Sequence, residues 1–434
     1  MTPLTAEETI AAQAKTRSEP AWLADRRIDA WRTFESSPPP KRSDEEWRRT
    51  DLSWMNWSDF HPSASQLTNG SAEEHLPVHL SAASIVLVEH GTGTTVTRVA
   101  PEAKAAGITA ASLSTAASDS NQLVESHLAT SLIRPDDGKF QALNSALWTG
   151  GVFVHIPRGV QLEAPIVILK TSNDSACYPR TLIIADPESS GHIVEWWLPE
   201  DSKSLSFANG STEIFVNDNA DLTYTHVQQW PSITRSLLSQ HAQVARDASM
   251  VSTNVPLGGI FHKGSIKATL SGPGADARLN GLSYLDGQQF VDHHTVQDHK
   301  TTDAVSDLLY VNILDNMSRS VYAGSIVVEQ DAQRSNAYQR NRNLMLRSGP
   351  RADSIPRLEI MADDVRCTHG STTSTIDPAQ LHYLNSRGLD YEAALRLIVD
   401  GTLEPVLDRI PNTVVADAVR SVVQAKMRSE LSST

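Results

Sequence analysis

The sequence predicts a mainly β protein, a coiled β-helix core flanked by N-terminal and C-terminal helical domains. Three observations carry that expectation. First, short strand-forming runs follow one another from about residue 150: "GVFVHIP", "PIVILK", "TLIIAD", "IVEWWL", "STEIFV", "LTYTHV", "GSIKATL", "LLYVNIL" and "SIVVEQ". Gly, Asp, Asn and Pro turn signals separate them, and no helix-length pattern intervenes. Second, small residues recur near the strand starts at Ala164, Gly191, Ala220, Ala248, Ala275, Ala304 and Ala332, spaced by 27, 29, 28, 27, 29 and 28. A fixed period of that size suggests stacked coils, with a small residue at a tight corner where neighbouring backbones approach. A β-sandwich is the alternative. Third, helical patterning is confined to the two ends of the chain.

Taken in order, residues 1–100 read as an N-terminal helical domain with its connection. Thr5 and Glu8 are spaced as a capping box. Ala24, Ile28 and Trp31 form one apolar stripe. "SSPPPKR" breaks the helix, and Ser43 and Glu46 are spaced as a second capping box. Trp22, Trp31, Trp47, Trp54 and Trp57 cluster here, as core or as a docking surface. Residues 101–149 read as a linker and lead-in, Ala/Ser-rich and flexible between Glu102 and Ser126. The β-helix core spans 150–362.

Residues 363–434 read as a C-terminal helical domain. Asp377 and Pro378 suit the N-cap and first position of a helix reaching about Ser386, with Gly388 as C-cap. "DYEAALRLIVDG" is a second helix ending at Gly401. A third, about Val414 to Arg428, carries a broad stripe at Val415, Val419 and Val422. That stripe buries against its own neighbours or against another protein.

Composition excludes several function classes. Fifty-one acidic against 37 basic residues give a net charge of −14, which repels phosphate backbones and anionic lipid. No run approaches the roughly 18 apolar residues of a spanning helix, and the N-terminus lacks the apolar run of a secretory signal. Two cysteines in 434 residues exclude a disulfide framework and fit a reducing cytoplasm. They also cannot make an all-cysteine four-ligand zinc or iron–sulfur site within one chain.

No P-loop, GxSxG, HExxH or CxxC occurs. "GPGADARLNG" reads as a turn in the β array. In "DHHTVQDH", His293 and His294 face opposite sides of a strand, and His299 diverges from His294, so a solvated or core-satisfied cluster is expected. No carboxylate pair is marked as an acid/base couple, and Cys177 reads as a structural thiol. "DDVRCTHG" places Cys367 two residues before His369. In an extended segment the two share a face, about 7 Å apart at the backbone. They offer a thiolate and an imidazole to one soft or borderline metal or to sulfide. The other reading of Cys367 is a buried structural thiol.

The stretch Arg340–Gly401 resembles the SufB/SufD family of iron–sulfur cluster assembly proteins. The resemblance lies in Asn341–Leu346, Pro356-x-Leu358-Glu359-Ile360, Asp363-Asp364-Val365, Cys367-x-His369-Gly370 and Ser386-Arg387-Gly388. Phe140–Ile168 resembles the start of the family's core domain. The N-terminal helices with Trp47–Asp51, and the low cysteine count, resemble the SufD side of the family, whereas "STTST" after Gly370 is closer to SufB.

The resemblance implies a right-handed parallel β-helix and a non-enzymatic scaffold subunit of the SufBCD complex. It implies pairing with a SufB-like subunit and docking of a SufC-like ATPase on the C-terminal helices. Cys367 and His369 would then hold a nascent iron–sulfur cluster at a shared interface, His369 being the better ligand candidate. A reduced flavin accompanies some assembled complexes of the family, and nothing here marks a flavin site. The alternatives are a SufB-like subunit, a homodimer formed when the chain is alone, and a β-helix carbohydrate-active enzyme using clustered carboxylates.

Overall fold

The computed structural model describes residues 5–60, 76–90, 93–119, 122–172, 175–198 and 205–431. Residues 1–4 and 61–75 of the predicted N-terminal domain lie outside them, as do 120–121 of the predicted linker and 432–434 of the predicted C-terminal domain.

Strands alternate between two sheets. One contains, in spatial order, Gly93–Val99, Ile85–His90, Ile166–Thr171, Ser190–Trp197, Asp221–Gln228, Ser249–Pro256, Asp276–Leu285, Val305–Leu314, Asn336–Met345 and Arg366–Thr375. The other runs Thr109–Ser112, Val152–Ile156, Arg180–Ala185, Phe207–Val216, Arg235–Val244, Phe261–Leu270, Phe290–His299, Arg319–Val328 and Arg351–Ile360, with Ala176–Cys177 beside Phe207–Val216. Successive coils pair in parallel, and only the first pairings of each sheet are antiparallel. The architecture is therefore a parallel β-solenoid of about seven turns, flanked by helices at both ends of the chain.

The corner is built as the period predicted. Asn219, Asp247, Gly274, Asp303 and Arg334 adopt left-handed φ values of 59°, 51°, 74°, 61° and 59°. Short polar side chains and glycine tolerate that conformation best. Each is followed by a small buried residue: Ala220, Ala248, Ala275, Ala304 and Ser335. These stack through the backbone, as when Ser249 N–H donates to Ala220 O at 2.8 Å and Asp276 N–H to Ala248 O at 2.9 Å. The period fails at two ends. Ser189 and Ser335, not Gly191 and Ala332, occupy the corner, because the adjoining coils are longer. Ser190 pairs with Asp221 and Val305 with Asn336, each 31 residues apart (221 − 190; 336 − 305).

Inward-facing glycines make room for large rings. A Cβ on Gly281 would fall 2.2 Å from the Tyr310 ring, and one on Gly210 2.4 Å from the Trp197 ring. Tyr310 is fully buried and has nowhere to retreat. Gly281→Ala is expected to lower stability by about 1–3 kcal/mol through overpacking. A urea midpoint equal to that of the native chain would remove this account of Gly281.

The solenoid is longer than the expected 150–362. Ile85–His90 already pairs in parallel with Ile166–Thr171, and Arg366–Thr375 continues the first sheet. The segment expected to be a flexible linker is ordered. It forms Pro101–Ala105, Thr109–Ser112, Leu113–Ser118 and Gln122–His127, and buries Ala103, Leu113, Ala116, Ala117 and Val124. Its small residues pack closely against Phe153, Leu182 and Phe215, so low complexity here marks tight packing.

At the N-terminus the Thr5–Glu8 capping box forms. Helix Ala21–Ser36 buries Leu23, Arg27, Ala30, Trp31 and Phe34, a stripe rotated from the expected Ala24–Ile28–Trp31 face. Arg27 turns inward because Glu19 pairs with it at 2.9 Å and Trp148 O accepts from it at 2.6 Å. The second capping box does not form; Glu45–Trp47 is a single 3₁₀ turn without a side-chain cap. Trp47, Trp54 and Trp57 dock on Phe207 and Phe261 of the solenoid wall and on Phe140 of helix Lys139–Leu147.

At the other end Asp377 caps Pro378–Ser386, as expected. The next helix, Tyr391–Leu407, runs through Gly401 because Leu403, Val406 and Leu407 bury beyond it. In the last helix, Thr413–Leu431, Val415, Val419 and Val423 share one core with Leu395, Ile398 and Val399. The same core includes Val194, Trp196, Val227, Val255 and Val311 from the outer face of the first sheet. The stripe is therefore consumed by the chain's own packing.

Candidate functional site

Both sheets end at the same coil. Arg366–Thr375 pairs with Asn336–Met345 on one side, and Arg351–Ile360 pairs with Arg319–Val328. Each is the terminal strand of its sheet, with its second edge unpaired among the described residues. An open strand edge presents a row of unpaired N–H and C=O groups that another strand can complete. Apolar side chains border it: Leu358, Ile360 and Met361 are exposed, Met361 to 54%.

Cys367 and His369 sit on this last strand, in register with Ala337 and Gln339. The Cys-x-His segment thus belongs to the final coil of the solenoid. It does not follow that coil as the first part of a helical domain, where the domain boundary at 363 placed it. Cys367 is half-buried against Ile326, Val328, Ala332, Ala337 and Ala362, and this burial raises its thiol pKa. His369, two residues on and therefore on the same strand face, is exposed. No group of three or more His, Cys, Asp or Glu side chains is arranged to hold a metal among the described residues. Cys367 and His369 thus place one soft and one borderline donor type on the same face of the terminal strand.

The other singled-out residues take different places. His293 faces the interior of the solenoid, whereas His294 faces outward and meets Asp292 at 3.1 Å, the opposed arrangement that strand geometry required. His299 bonds Ser306 Oγ at 2.8 Å. His293 departs from the expectation of a satisfied histidine, since neither ring nitrogen meets a protein partner. Cys177 is buried with Trp197, Leu205, Ala208, Trp230 and Leu238, a structural thiol. "GPGADARLNG" forms a solenoid corner at Gly274. On the helices, Tyr383, Tyr391 and Leu397 are exposed, Leu397 to 53%. The apolar pattern of the sequence does not mark that surface, because its residues are spread over two helices and form no single stripe.

The fold is thus a parallel β-solenoid whose terminal strands keep one edge unpaired among the described residues, with Cys367 and His369 on the last of them. Comparison with known proteins gives the family. Residues 167–402 match the SufBD core domain of SUF-system FeS cluster assembly, and residues 9–168 match the SufBD protein N-terminal region. The chain is 27% identical to the iron–sulfur cluster assembly protein SufD of Bacillus subtilis over 437 residues, covering 97% of this chain and 98% of that one. It is 26% identical over 423 residues to an iron–sulfur cluster assembly SufBD family protein of Staphylococcus haemolyticus, covering 93% of this chain and 89% of the relative. A SufBD family protein of Staphylococcus epidermidis matches to the same extent. The chain belongs to the SufBD family of SUF-system iron–sulfur cluster assembly proteins, and within it is most like SufD. No helix among the described residues is long and apolar enough to cross a membrane.

Proposed function

We propose that this chain is a non-enzymatic, cytoplasmic scaffold subunit that pairs with a SufB-like subunit and assembles an iron–sulfur cluster at the junction. The observation that carries the reading is the position of Cys367 and His369 on the unpaired terminal coil. Two donors cannot surround iron, so a second chain docking on the same edge supplies the rest. The cluster is cargo, built on the shared surface and handed on. His369 is the readier ligand: it is exposed, while Cys367 is half-buried with a raised thiol pKa. In the absence of the SufB-like partner, the same edges pair two copies of this chain.

His369→Ala is expected to leave the fold and partner binding intact while lowering cluster yield about tenfold, in line with the loss of one metal-site contact. The readout is cluster absorbance after anaerobic reconstitution with the partner chains. Unchanged yield would reject His369 as a ligand.

A SufC-like ATPase docks on the exposed Tyr383, Tyr391 and Leu397 face of the C-terminal helices. Removing those helices would uncover the core they share with the first sheet, so surface charge is the better probe. The double variant Tyr391→Asp, Leu397→Asp should keep its thermal midpoint and lose co-purification with the ATPase. Retained co-purification would move the docking surface elsewhere.

A further inference from the structure

We infer that the interior of the solenoid binds a cluster of ordered water molecules bridging His226, His262 and His293. These rings lie on different coils, and all are inside: His226 and His293 are 1% exposed and His262 is 2% exposed. The His262 and His293 rings are 5.8 Å apart between centroids. His226 lies edge-on to Trp197 at 4.5 Å and His293 edge-on to Tyr310 at 5.1 Å. Gly264 lies against both rings: a Cβ there would stand 2.9 Å from Ile266, 3.1 Å from His293 and 3.4 Å from His262 Nε2.

Among the buried polar side chains that lack a protein partner among the described residues, His226 and His293 are the two whose ring nitrogens are both without one. His262 Nδ1 meets Ser236 Oγ at 2.9 Å. Both ring nitrogens of His226 and both of His293 meet no partner among the described residues. Two amide oxygens inside the same solenoid, Gln240 Oε1 and Gln297 Oε1, are also unpaired, while their amide nitrogens donate to Ser252 and Ser306 at 2.8 and 2.7 Å. Each neutral imidazole carries one donor and one acceptor. Buried polar groups of this kind are satisfied by protein or by water.

Protonation does not resolve the deficit. The carboxylates facing the interior are already engaged, Glu195 and Glu89 with Lys170 at 3.2 and 2.9 Å; Asp292, on the outward face next to His293, is held by Lys263 at 2.8 Å and His294 at 3.1 Å. Burial holds His226 and His293 neutral. A metal does not fit either, since no three ligating side chains converge among the described residues. A small molecule that both donates and accepts is required, and water is that molecule.

A crystal structure of the full chain at about 1.5 Å is the direct test. Ordered waters within about 2.7–3.2 Å of the His226 and His293 ring nitrogens are expected. Rings that repack onto protein partners in a dry interior would overturn the inference, as would an anomalous peak marking a metal at those nitrogens. In solution, His293→Phe should carry fewer long-lived internal waters than the native chain by magnetic relaxation dispersion. An unchanged count in a folded variant would also overturn it.

Discussion

Arg180→Ala is expected to cost about 3–5 kcal/mol of stability, the typical loss when one partner of a buried ion pair is removed. Arg180 and Glu213 are completely buried and paired with each other. Arg180 also donates to Asn144 Oδ1 at 3.0 Å and Ser145 Oγ at 3.2 Å. Glu213 accepts from the backbone N–H of Ala129 at 3.0 Å and of Ile133 at 3.3 Å. The pair thus welds strands Arg180–Ala185 and Phe207–Val216 to helix Lys139–Leu147 and to the segment before it. Without the guanidinium, a carboxylate stays buried with only neutral donors. Replacing both residues by apolar ones would not restore full stability, because the Ala129 and Ile133 N–H groups would lose their acceptor. Urea unfolding of Arg180→Ala and of the double variant Arg180→Met, Glu213→Leu measures both effects. A single variant within 1 kcal/mol of the native chain, a rough threshold set by the exposed-pair range, would show that the pair is not a structural weld.

Stability is expected to fall steeply as pH drops from about 6.5 toward 4. Burial lowers His226, His293 and His299 to about 4 and His192 to about 3, and holds His262 well below its ordinary value. A depressed histidine pKa means that the folded chain refuses a proton which the unfolded chain accepts. Above about 6.5 neither state binds it and the group has no effect. Below that, the unfolded state gains protons, and each such histidine removes about 1.4 kcal/mol per pH unit until its folded value is reached. Glu89, raised by burial, works in the opposite direction as it protonates in the fold. Asp292 and Asp298 are held low by Lys263 and Lys267 despite burial, and extend the loss to still lower pH. Thermal midpoints measured between pH 7.5 and pH 5 should decline, and His299→Gln should flatten the decline by one group. A midpoint constant over that range would contradict the buried, neutral histidines.

Much of this fold was legible in the sequence. The strand-and-turn alternation, the corner alanines at 220, 248, 275 and 304, the Thr5–Glu8 box and the Asp377–Pro378 start depend on short-range chemistry, and the structure carries all of them. The candidate site was half legible. Cys367 and His369 share a strand face because side chains alternate with period 2, but their place on an open terminal coil depends on where stacking stops. The Ala/Ser-rich segment after Glu102 was misread, since composition cannot distinguish a loose chain from one whose small side chains fit under a sheet. The valine stripe of the last helix reported correctly that it must bury, without naming what covers it.

By itself, then, the sequence determined that the chain coils, where it turns, and that two cysteines cannot complete a cluster site alone. Tertiary structure decided the register of each coil on the next, and through it the interior neighbours. His226, His262 and His293 are separated by 36 and 31 residues (262 − 226; 293 − 262); His262 and His293 meet because their strands are neighbours in the second sheet, and His226 faces the same interior from the first. The physical reason is that register follows the stacking of strand on strand: coils of 27 and 31 residues (276 − 249; 336 − 305) keep the same inward positions because the corners absorb the difference. The same stacking leaves Cys367 and His369 on the terminal strand, whose outer edge is unpaired among the described residues.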